Sequence, residues 1–483
     1  MSALERLKLW IRPAAYLGRN PLSLAGAVLT TSSAITLIAF WLFDLVIGGT
    51  LHPYVGLIFF LILPGIFVLG LLLIPAGALM YRFKLRRAGQ LPSTFPQVDF
   101  SIPTFRQALG WVAGLTVANI IIFSVGAYRG VQYMDSVRFC GQTCHTVMQP
   151  EFTAYQGSPH ARVECIQCHI GPGAPWFVRS KLSGLRQVYA VTFHTYERPI
   201  PVPVANLRPS RETCEQCHYP ETFTGNKLVV IRNFEEDEKN TELTTVLLLK
   251  IGGHTWNGEL GIHGRHLDPK RRIEYVSVDR DRQKIAQVSY VDDTTGKRTV
   301  FTQTDPKPTA EQLSAGEHRT MDCIDCHNRP THTFQLPGPA LDEAMARGHV
   351  SPELPYIKKE ALAALKAKYP DRDTAKRDIA ATLEAFYQKS YPDIYNKQRA
   401  LLETSIGGVQ AIYLSNIFPA MNITWGTYPN NLGHTDFPGC FRCHDGSHTS
   451  ADGKTIPNDC DTCHTVLAMQ EQNPKVLADL GIK

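Results

Sequence analysis

The twelve cysteines of this 483-residue chain fall into six pairs, and a histidine follows each pair directly. Five pairs have the spacing Cys-x-x-Cys-His, whereas the first pair has one additional residue between its cysteines. The regular pairs are Cys165/Cys168, Cys214/Cys217, Cys323/Cys326, Cys440/Cys443 and Cys460/Cys463, with the histidines His169, His218, His327, His444 and His464. The irregular pair is Cys140/Cys144 with His145, and the six pairs together use every cysteine of the chain.

Three kinds of chemistry use cysteines in pairs. A disulfide framework gives no reason for a histidine after every second cysteine. A structural zinc site takes four ligands from two such pairs, or from one pair and a distant histidine pair, and needs no adjacent histidine. Covalent haem c attachment uses all three residues, because both thiols bond to the haem and the histidine binds its iron. The pattern predicts six haems c with an irregular first site, and five haems with an empty first site is the alternative.

A haem that only carries electrons needs a second axial ligand on its other face. The motifs use six of the 17 histidines, which leaves eleven for this role. The predicted distal ligands are the histidines His160, His194, His318, His332, His434 and His448. A histidine close to a motif is poorly placed to reach the far face of its own haem, so we expect it to serve a neighbouring haem. The histidines of "GGHTWNGELGIHGRH" (His254, His263 and His266) are either further ligands or surface residues.

Three uncharged apolar runs precede the first motif, at residues 24–43, 53–81 and 107–128. Each is long enough to cross the hydrocarbon layer of a membrane as a helix. Arginines and lysines lie before the first run and between the second and third, which predicts a cytoplasmic N-terminus and a periplasmic haem region. The weak net charge of +5 gives no reason to expect nucleic acid as a partner. We therefore expect a protein of the bacterial inner membrane.

The predicted fold class is a mainly α multihaem cytochrome c with three N-terminal transmembrane helices and a small antiparallel β insert. Short β-branched segments fill the motif-free region 226–316, and "DDTTGKR" is typical of a hairpin turn. Apolar residues with helical spacing follow in 352–418. We expect the haems to supply much of the core of the exported region, because each buries a large apolar ring. The predicted domains are a membrane anchor (1–128), a region with haems 1–3 (129–225), the β insert (226–316) and a helical region with haems 4–6 (317–483).

The segment "SPHARVECIQCH" at residues 158–169, preceded by an irregular first site with a nearby methionine, resembles the NapC/NirT family of membrane-anchored quinol dehydrogenases. The resemblance covers residues 110–220. The later segments "FPAMNITWGTYPNNLGH" and "GCFRCHDGSH" are similar to longer multihaem cytochromes from the inner membrane of metal-reducing bacteria. Because family members typically have one membrane helix and four haems, this chain resembles an extended relative.

The resemblance implies a first haem at the membrane surface beside a menaquinol pocket. It implies that Met148 is a candidate axial ligand of that haem, and whether Met148 or His145 binds the iron stays open. It also implies that His160 serves a neighbouring haem and that Lys181 lines the quinol pocket. The acidic residue that usually follows this lysine is missing, and Gln187 stands near its place. Asp44 and His52 are substitutes for it or ordinary interfacial residues.

These expectations predict a hexahaem cytochrome that oxidises menaquinol and passes electrons along its haems to a periplasmic cytochrome or reductase. One alternative is a terminal reductase of a small nitrogen or sulfur compound, in which one haem lacks a distal ligand. A second alternative is an electron-transfer subunit of a larger membrane complex without its own quinol site.

Overall fold

The computed structural model divides the chain into two compact units, Met1–His145 and Thr146–Lys483. It describes residues 12–13, 16–47, 55, 58–95, 103–143, 145–171, 173–204, 207–253 and 260–482, apart from the side chains of residues 44–47, 104, 105, 108, 109, 145, 146, 174 and 221. The four-part division at residues 128, 225 and 316 stays a prediction.

Long apolar helices form the described part of the first unit. They are α1 (Pro21–Ile47), α2 (Leu63–Arg87), which a π-helical turn (Ile58–Ile62) precedes, and α3 (Pro103–Asp135). Each contains a stretch long and apolar enough to cross a membrane, namely Pro21–Phe43, Ile58–Arg87 and Gly110–Asp135. The prediction of three transmembrane helices is therefore confirmed. Pro75 lies inside α2, where a membrane helix tolerates it.

Small residues bring α1 and α2 together along most of their lengths. A Cβ atom built on Gly70 would lie 2.5 Å from Oγ1 of Thr30 and 2.8 Å from its backbone nitrogen. The Ser23 hydroxyl of α1 donates a hydrogen bond of 2.8 Å to the carbonyl oxygen of Ile74 in α2. Close packing of small residues drives the association of helices in lipid, because burial of apolar surface contributes little there.

The second unit consists of helices and strands, and a helical core lies in its C-terminal half. Its helices are α4 (His145–Gln156), which begins at the last residue of the first unit, α5 (Cys165–His169), α6 (Ala174–Thr192), α7 (Ser210–Cys214), α8 (Ile262–His266), α9 (Ala310–Ala315), α10 (Cys323–Cys326), α11 (Pro337–Ala346), α12 (Ile357–Lys366), α13 (Arg372–Ser390), α14 (Pro392–Lys397), α15 (Arg399–Asn416), α16 (Cys460–Cys463) and α17 (Lys475–Asp479). Helices α11 to α15 pack around fully buried side chains such as Ile357, Leu365, Ile379 and Leu383. The predicted helical region 352–418 is confirmed.

Two antiparallel sheets complete the second unit. Their strands are β1 (Lys227–Phe234), β2 (Glu242–Leu249), β3 (Arg271–Ser277), β4 (Ile285–Asp292), β5 (Lys297–Gln303), β6 (Glu317–Thr320), β7 (His448–Ser450) and β8 (His464–Glu471). The sheet orders are β1-β2-β8 and β6-β3-β4-β5-β7. The first five strands and the β4–β5 hairpin confirm the predicted β region. Strands β6, β7 and β8 are not predicted, and they supply the backbone partners that an isolated insert would lack.

Replacement of Gly70 with leucine should force α1 and α2 apart. We expect overpacking to destabilise the protein by about 1–3 kcal/mol. The midpoint of thermal unfolding of the full-length protein in detergent, followed by circular dichroism, measures the effect. Gly65→Leu in the same helix is the matched control, since a Cβ atom at Gly65 would have no atom within 4 Å. Equal midpoints for the two variants would contradict this packing.

Candidate functional site

The histidine of every regular Cys-x-x-Cys-His motif faces a second histidine in the second unit. The ring centroids are 6.0 Å apart for His218 and His160, 6.3 Å for His169 and His332, 6.3 Å for His327 and His263, 5.8 Å for His444 and His266, and 6.2 Å for His464 and His434. In each pair the second histidine comes from a different segment of the chain from the motif. The structure thus brings together ten histidines in five pairs.

These separations fit one metal ion between two imidazole rings. A metal ion binds an imidazole nitrogen at about 2 Å and the ring centre lies about 1 Å behind that nitrogen, so the two ring centroids should be about 6 Å apart. In the part of the chain that the structure describes, no three side chains of His, Cys, Asp or Glu group together as a metal site. The arrangement therefore fits haem iron with two axial histidines better than it fits structural zinc.

Hydrogen bonds orient four of these histidines toward their partners. The Nδ1 atom of His263 lies 2.6 Å from the carbonyl oxygen of Ile251, and that of His266 lies 2.8 Å from the carbonyl oxygen of Ile262. The corresponding distances are 2.9 Å from His332 to Glu151 and 2.6 Å from His444 to Pro457. Because Nδ1 donates to a carbonyl oxygen, Nε2 of each ring carries the free lone pair that a metal needs.

The protonation equilibria of two motif histidines, His169 and His327, favour the neutral imidazole. Burial lowers the pKa of His169, and positive charge on its partner His332 lowers it further. Burial also lowers the pKa of His327, as does its neighbour His263. A histidine must be neutral at the binding nitrogen to hold a metal ion. The environment of these rings therefore suits ligation at neutral pH.

A buried ion pair fixes His332. The guanidinium of Arg329 lies 3.1 Å from the carboxylate of Glu151, and the two side chains are only 5% and 15% exposed. The same carboxylate is 3.3 Å from Nδ1 of His332. Arg329 also lies over the ring of Tyr428, at 4.2 Å from its centroid. Because Nδ1 of His332 donates to the backbone carbonyl of Glu151 at 2.9 Å, the ion pair between Arg329 and Glu151 helps to fix the orientation of this ring.

The two cysteines of the third motif differ in their burial by the protein chain. Cys214 ends α7 and is half-buried, whereas Cys217 follows in a turn and is exposed. The backbone N–H of Cys217 donates to the carbonyl oxygen of Cys214 at 3.1 Å, and this bond shapes the attachment loop. The protein chain itself therefore does not bury this thiol, and attachment of a haem through Cys217 stays a prediction. The other exposed attachment cysteines of the described residues are Cys168, Cys440 and Cys460.

The motifs contact one another in the order of the chain. Helix α7 of the third motif contacts both α5 of the second motif and α10 of the fourth. The side chains of Cys214 and Cys323 are neighbours, which brings the third motif next to the fourth. His434, which precedes the fifth motif, faces His464 of the sixth. Motifs two to six therefore form one continuous row.

Asp325 ties the fourth motif to the fifth. Its carboxylate is buried inside the fourth Cys-x-x-Cys loop, where the hydroxyl of Tyr275 donates to it at 2.5 Å. The guanidinium of Arg319 lies 3.4 Å from the same carboxylate, and this charge balances the buried anion. The backbone carbonyl of Asp325 accepts a 2.6 Å hydrogen bond from Arg442 of the fifth motif. The two attachment loops are thus held directly against each other.

Three predicted distal ligands do not face a motif histidine. His194 lies beside Tyr196 at 6.3 Å, and His318 uses Nε2 to bond the carbonyl oxygen of Leu313. His448 is buried, with Nε2 at 2.9 Å from the carbonyl oxygen of Ile285 and Nδ1 at 3.3 Å from Asp445. A ring with both nitrogens hydrogen-bonded within the protein has no lone pair left for iron.

Two histidines outside the predicted set, His263 and His266, face motif histidines instead. They lie on α8, three residues apart, and face motifs four and five. A usable signal was their spacing within the motif-free region, since residues three apart on a helix lie on the same face. Closeness to a motif in the sequence was the weaker indication, because the fold of the whole chain determines which motif histidine a given histidine faces.

Part of the first site falls outside the described residues. Cys144, His52 and His254 are not described, and neither are the side chains of His145 and Asp44. Cys140 lies in a short π-helical turn, Phe139–Thr143, which begins after a three-residue connection from α3. Met148 lies in α4 and is half-buried.

The two predicted quinol-pocket residues lie on the same helix, α6. The ammonium of Lys181 is 4.7 Å from the centroid of the Phe177 ring. Gln187 is exposed and donates to the hydroxyl of Ser183 at 3.3 Å. Six residues along a helix turn the side chain by about 120° from the starting direction, so Lys181 and Gln187 face different sides. The structure does not bring these two residues together.

Comparison with known proteins gives several matches. A family model described as the N-terminal region of the NapC/NirT cytochrome c family matches residues 103–200. The cytochrome c-type protein ImcH of Geobacter sulfurreducens is 41% identical over 458 residues, which cover 94% of this chain and 89% of that protein. The cytochrome c-type protein NrfH of Wolinella succinogenes is 28% identical over 103 residues (21% of this chain and 58% of NrfH).

A shorter similarity links the chain to the cytochrome c-type protein TorC of Escherichia coli. It is 32% identical over 99 residues, which cover 19% of this chain and 23% of TorC. No solved structure matches the chain significantly.

Replacement of His266 with leucine should remove one axial ligand and leave the haem attached. We expect one haem to change from low-spin to high-spin while the others keep their spectra, because the ring facing His444 is lost. Electron paramagnetic resonance of the oxidised protein measures this change.

His318→Leu is the matched control, and its spectrum should equal that of the wild type. A high-spin signal in His318→Leu, or its absence in His266→Leu, would contradict the pairing.

Proposed function

Because the chain belongs to the NapC/NirT cytochrome c family, we propose that it is a six-haem quinol dehydrogenase that delivers electrons to a periplasmic partner. Family membership and three apolar helices make it a multihaem cytochrome c of the inner membrane. We propose in addition that it oxidises menaquinol, holds six haems c and has its haem-bearing unit in the periplasm. The observation that carries the proposal is the continuous row of histidine-paired motifs.

The haems, when bound, supply reversible one-electron chemistry at iron. The chain's own residues would hold them: the twelve cysteines would attach the haems, and the five pairs of histidines would bind five of the irons. Closed faces favour electron transfer, since no position is left for a substrate. This argues against a terminal reductase at motifs two to six. The sequential contacts between these motifs support a row that runs from the second motif to the sixth.

Menaquinol would lose two electrons and two protons and become menaquinone. The electrons would leave one at a time into the row, and the protons would be released on the periplasmic side. Lys181 supports a pocket for this substrate, because its ammonium lies beside Phe177 on an exposed apolar helix face. A cation next to an apolar surface suits a ligand with a polar head on an aromatic ring. Gln187 faces the polar side of α6 and is the weaker candidate.

The quinol-oxidising role is tested with the full-length protein in lipid nanodiscs. A reduced naphthoquinone added without oxygen should reduce the haems, and visible absorption follows the rate. Lys181→Ala should slow this reduction by roughly tenfold or more, equivalent to about 1.4 kcal/mol of lost transition-state stabilisation. The control is Lys389→Ala, an exposed lysine of α13. If dithionite reduces the haems but the quinol does not, the quinol-oxidising role is wrong and the chain is an electron-transfer subunit without its own quinol site.

The ligand of the first haem is tested by Met148→Leu. If Met148 binds this iron, the variant should lose one spectral component and should also accept electrons from quinol more slowly. Magnetic circular dichroism of the oxidised protein detects a methionine ligand directly. Met345→Leu, a change in the buried helical core, is the control for the substitution itself. An unchanged spectrum for Met148→Leu would assign the iron to His145.

A further inference from the structure

The histidine pair of the sixth motif is not oriented in the same way as the pairs of the second, fourth and fifth motifs. In those three pairs, Nδ1 of at least one ring lies between 2.6 and 2.9 Å from a backbone carbonyl oxygen. Within the described residues, neither His434 nor His464 has such a bond, and Nδ1 of His464 is buried without a hydrogen-bond partner. A ligand ring without this bond needs another contact to fix its direction.

Phe441 supplies an aromatic contact to His434. The ring centroids are 4.2 Å apart and the ring planes differ by only 5°, so the two rings lie face to face. The ring of His464 is 6.2 Å from His434, with its plane tilted by 27°. The stack covers a face of the imidazole and leaves its edge, where both nitrogen atoms lie, available to a metal ion. The contact therefore restrains the direction of the ring without occupying its ligand position.

The turn that carries Phe441 is itself firmly held. Phe441 lies between the two cysteines of the fifth motif, in the short 3-10 helix Gly439–Arg442. Arg442 donates hydrogen bonds of 2.6–2.9 Å to three backbone carbonyl oxygens, which lie in its own loop, in the β3–β4 turn and in the fourth motif. The N–H of Cys440 donates at 2.9 Å to the carbonyl oxygen of Gly433, the residue before the distal histidine. The aromatic ring and the histidine are therefore joined through the backbone as well as through the stack.

We propose that Phe441 is a positioning residue for the sixth haem, because its ring holds His434 in the direction of the iron bound at His464. An imidazole that binds iron is electron-poor, so it stacks favourably on the electron-rich face of phenylalanine. The fifth attachment loop is then part of the ligand environment of the next haem in the row. The inference rests on the proposed function in one respect, since it needs a haem at the sixth motif.

Carbon monoxide binding to the full-length haem-loaded protein, reduced with dithionite in detergent, tests this role. Carbon monoxide binds a reduced six-coordinate haem only when it displaces an axial ligand. Phe441→Leu should raise the carbon monoxide affinity of one haem roughly two- to tenfold, because a stacked aromatic contact to its distal ligand is lost. Phe441→Tyr keeps the aromatic face and should have the affinity of the wild type. Phe437→Leu, the same substitution three residues after His434, is the matched control and should also equal the wild type.

His434→Leu identifies the haem concerned, because its iron should lose one protein ligand and bind carbon monoxide most tightly. In the oxidised protein, Phe441→Leu should also change the electron paramagnetic resonance g values of one low-spin haem, which depend on the orientation of the ligand rings, and Phe441→Tyr should not.

The outcomes separate this inference from the rest of the proposal. Wild-type carbon monoxide affinity in Phe441→Leu, together with tight binding in His434→Leu, would overturn the positioning role and leave the histidine pairing intact. If His434→Leu gains no haem that binds carbon monoxide, both the pairing at the sixth motif and the role of Phe441 are wrong. Because dithionite reduces the haems directly, a protein that menaquinol fails to reduce would lose the quinol-oxidising role and keep this inference.

Discussion

The second unit depends on pairs of imidazole rings that face each other across the space of one metal ion. Each pair joins an attachment motif to a histidine from another part of the chain, so five such pairs connect segments that secondary structure leaves separate. Backbone carbonyl acceptors orient four of these rings, and an iron ion held between the rings of a pair would set their separation. In the proposed holoprotein, folding and haem attachment are therefore linked, as in domains that fold around a metal.

Polar groups that stabilise the attachment loops lie where the loops of the fourth and fifth motifs meet. Asp325 is buried within one loop, accepts from Tyr275 and lies beside Arg319, while its backbone carbonyl binds Arg442 of the next loop. Burial raises the pKa of the Tyr275 hydroxyl, and the negative charge of Asp325 raises it further. Tyr275 consequently stays a neutral donor, and the carboxylate keeps both its charge and its partners. The buried carboxylate holds the fourth loop against Tyr275 and Arg319, and the backbone carbonyl of Asp325 joins this loop to the fifth through Arg442.

Local sequence patterns predicted much of this structure. Cysteine spacing located the attachment motifs, hydropathy located the three membrane helices, and alternation located strands β1 to β5. The pairing of histidines was only partly predictable. His160, His332 and His434 each face a motif, but His318 and His448 have nitrogens bound to backbone carbonyls, and no local pattern separates these two groups. Strand β8 follows the last motif and joins a sheet that begins more than two hundred residues earlier, which depends on the fold as a whole.

Helix α8 presents His263 to one motif histidine and His266 to the next, at ring-centroid distances of 6.3 Å and 5.8 Å. In the proposed holoprotein, one helical turn would thus carry the distal histidine ligands of two haems. A change in the position of this one turn would therefore alter the distal ligation of the fourth and fifth haems at the same time.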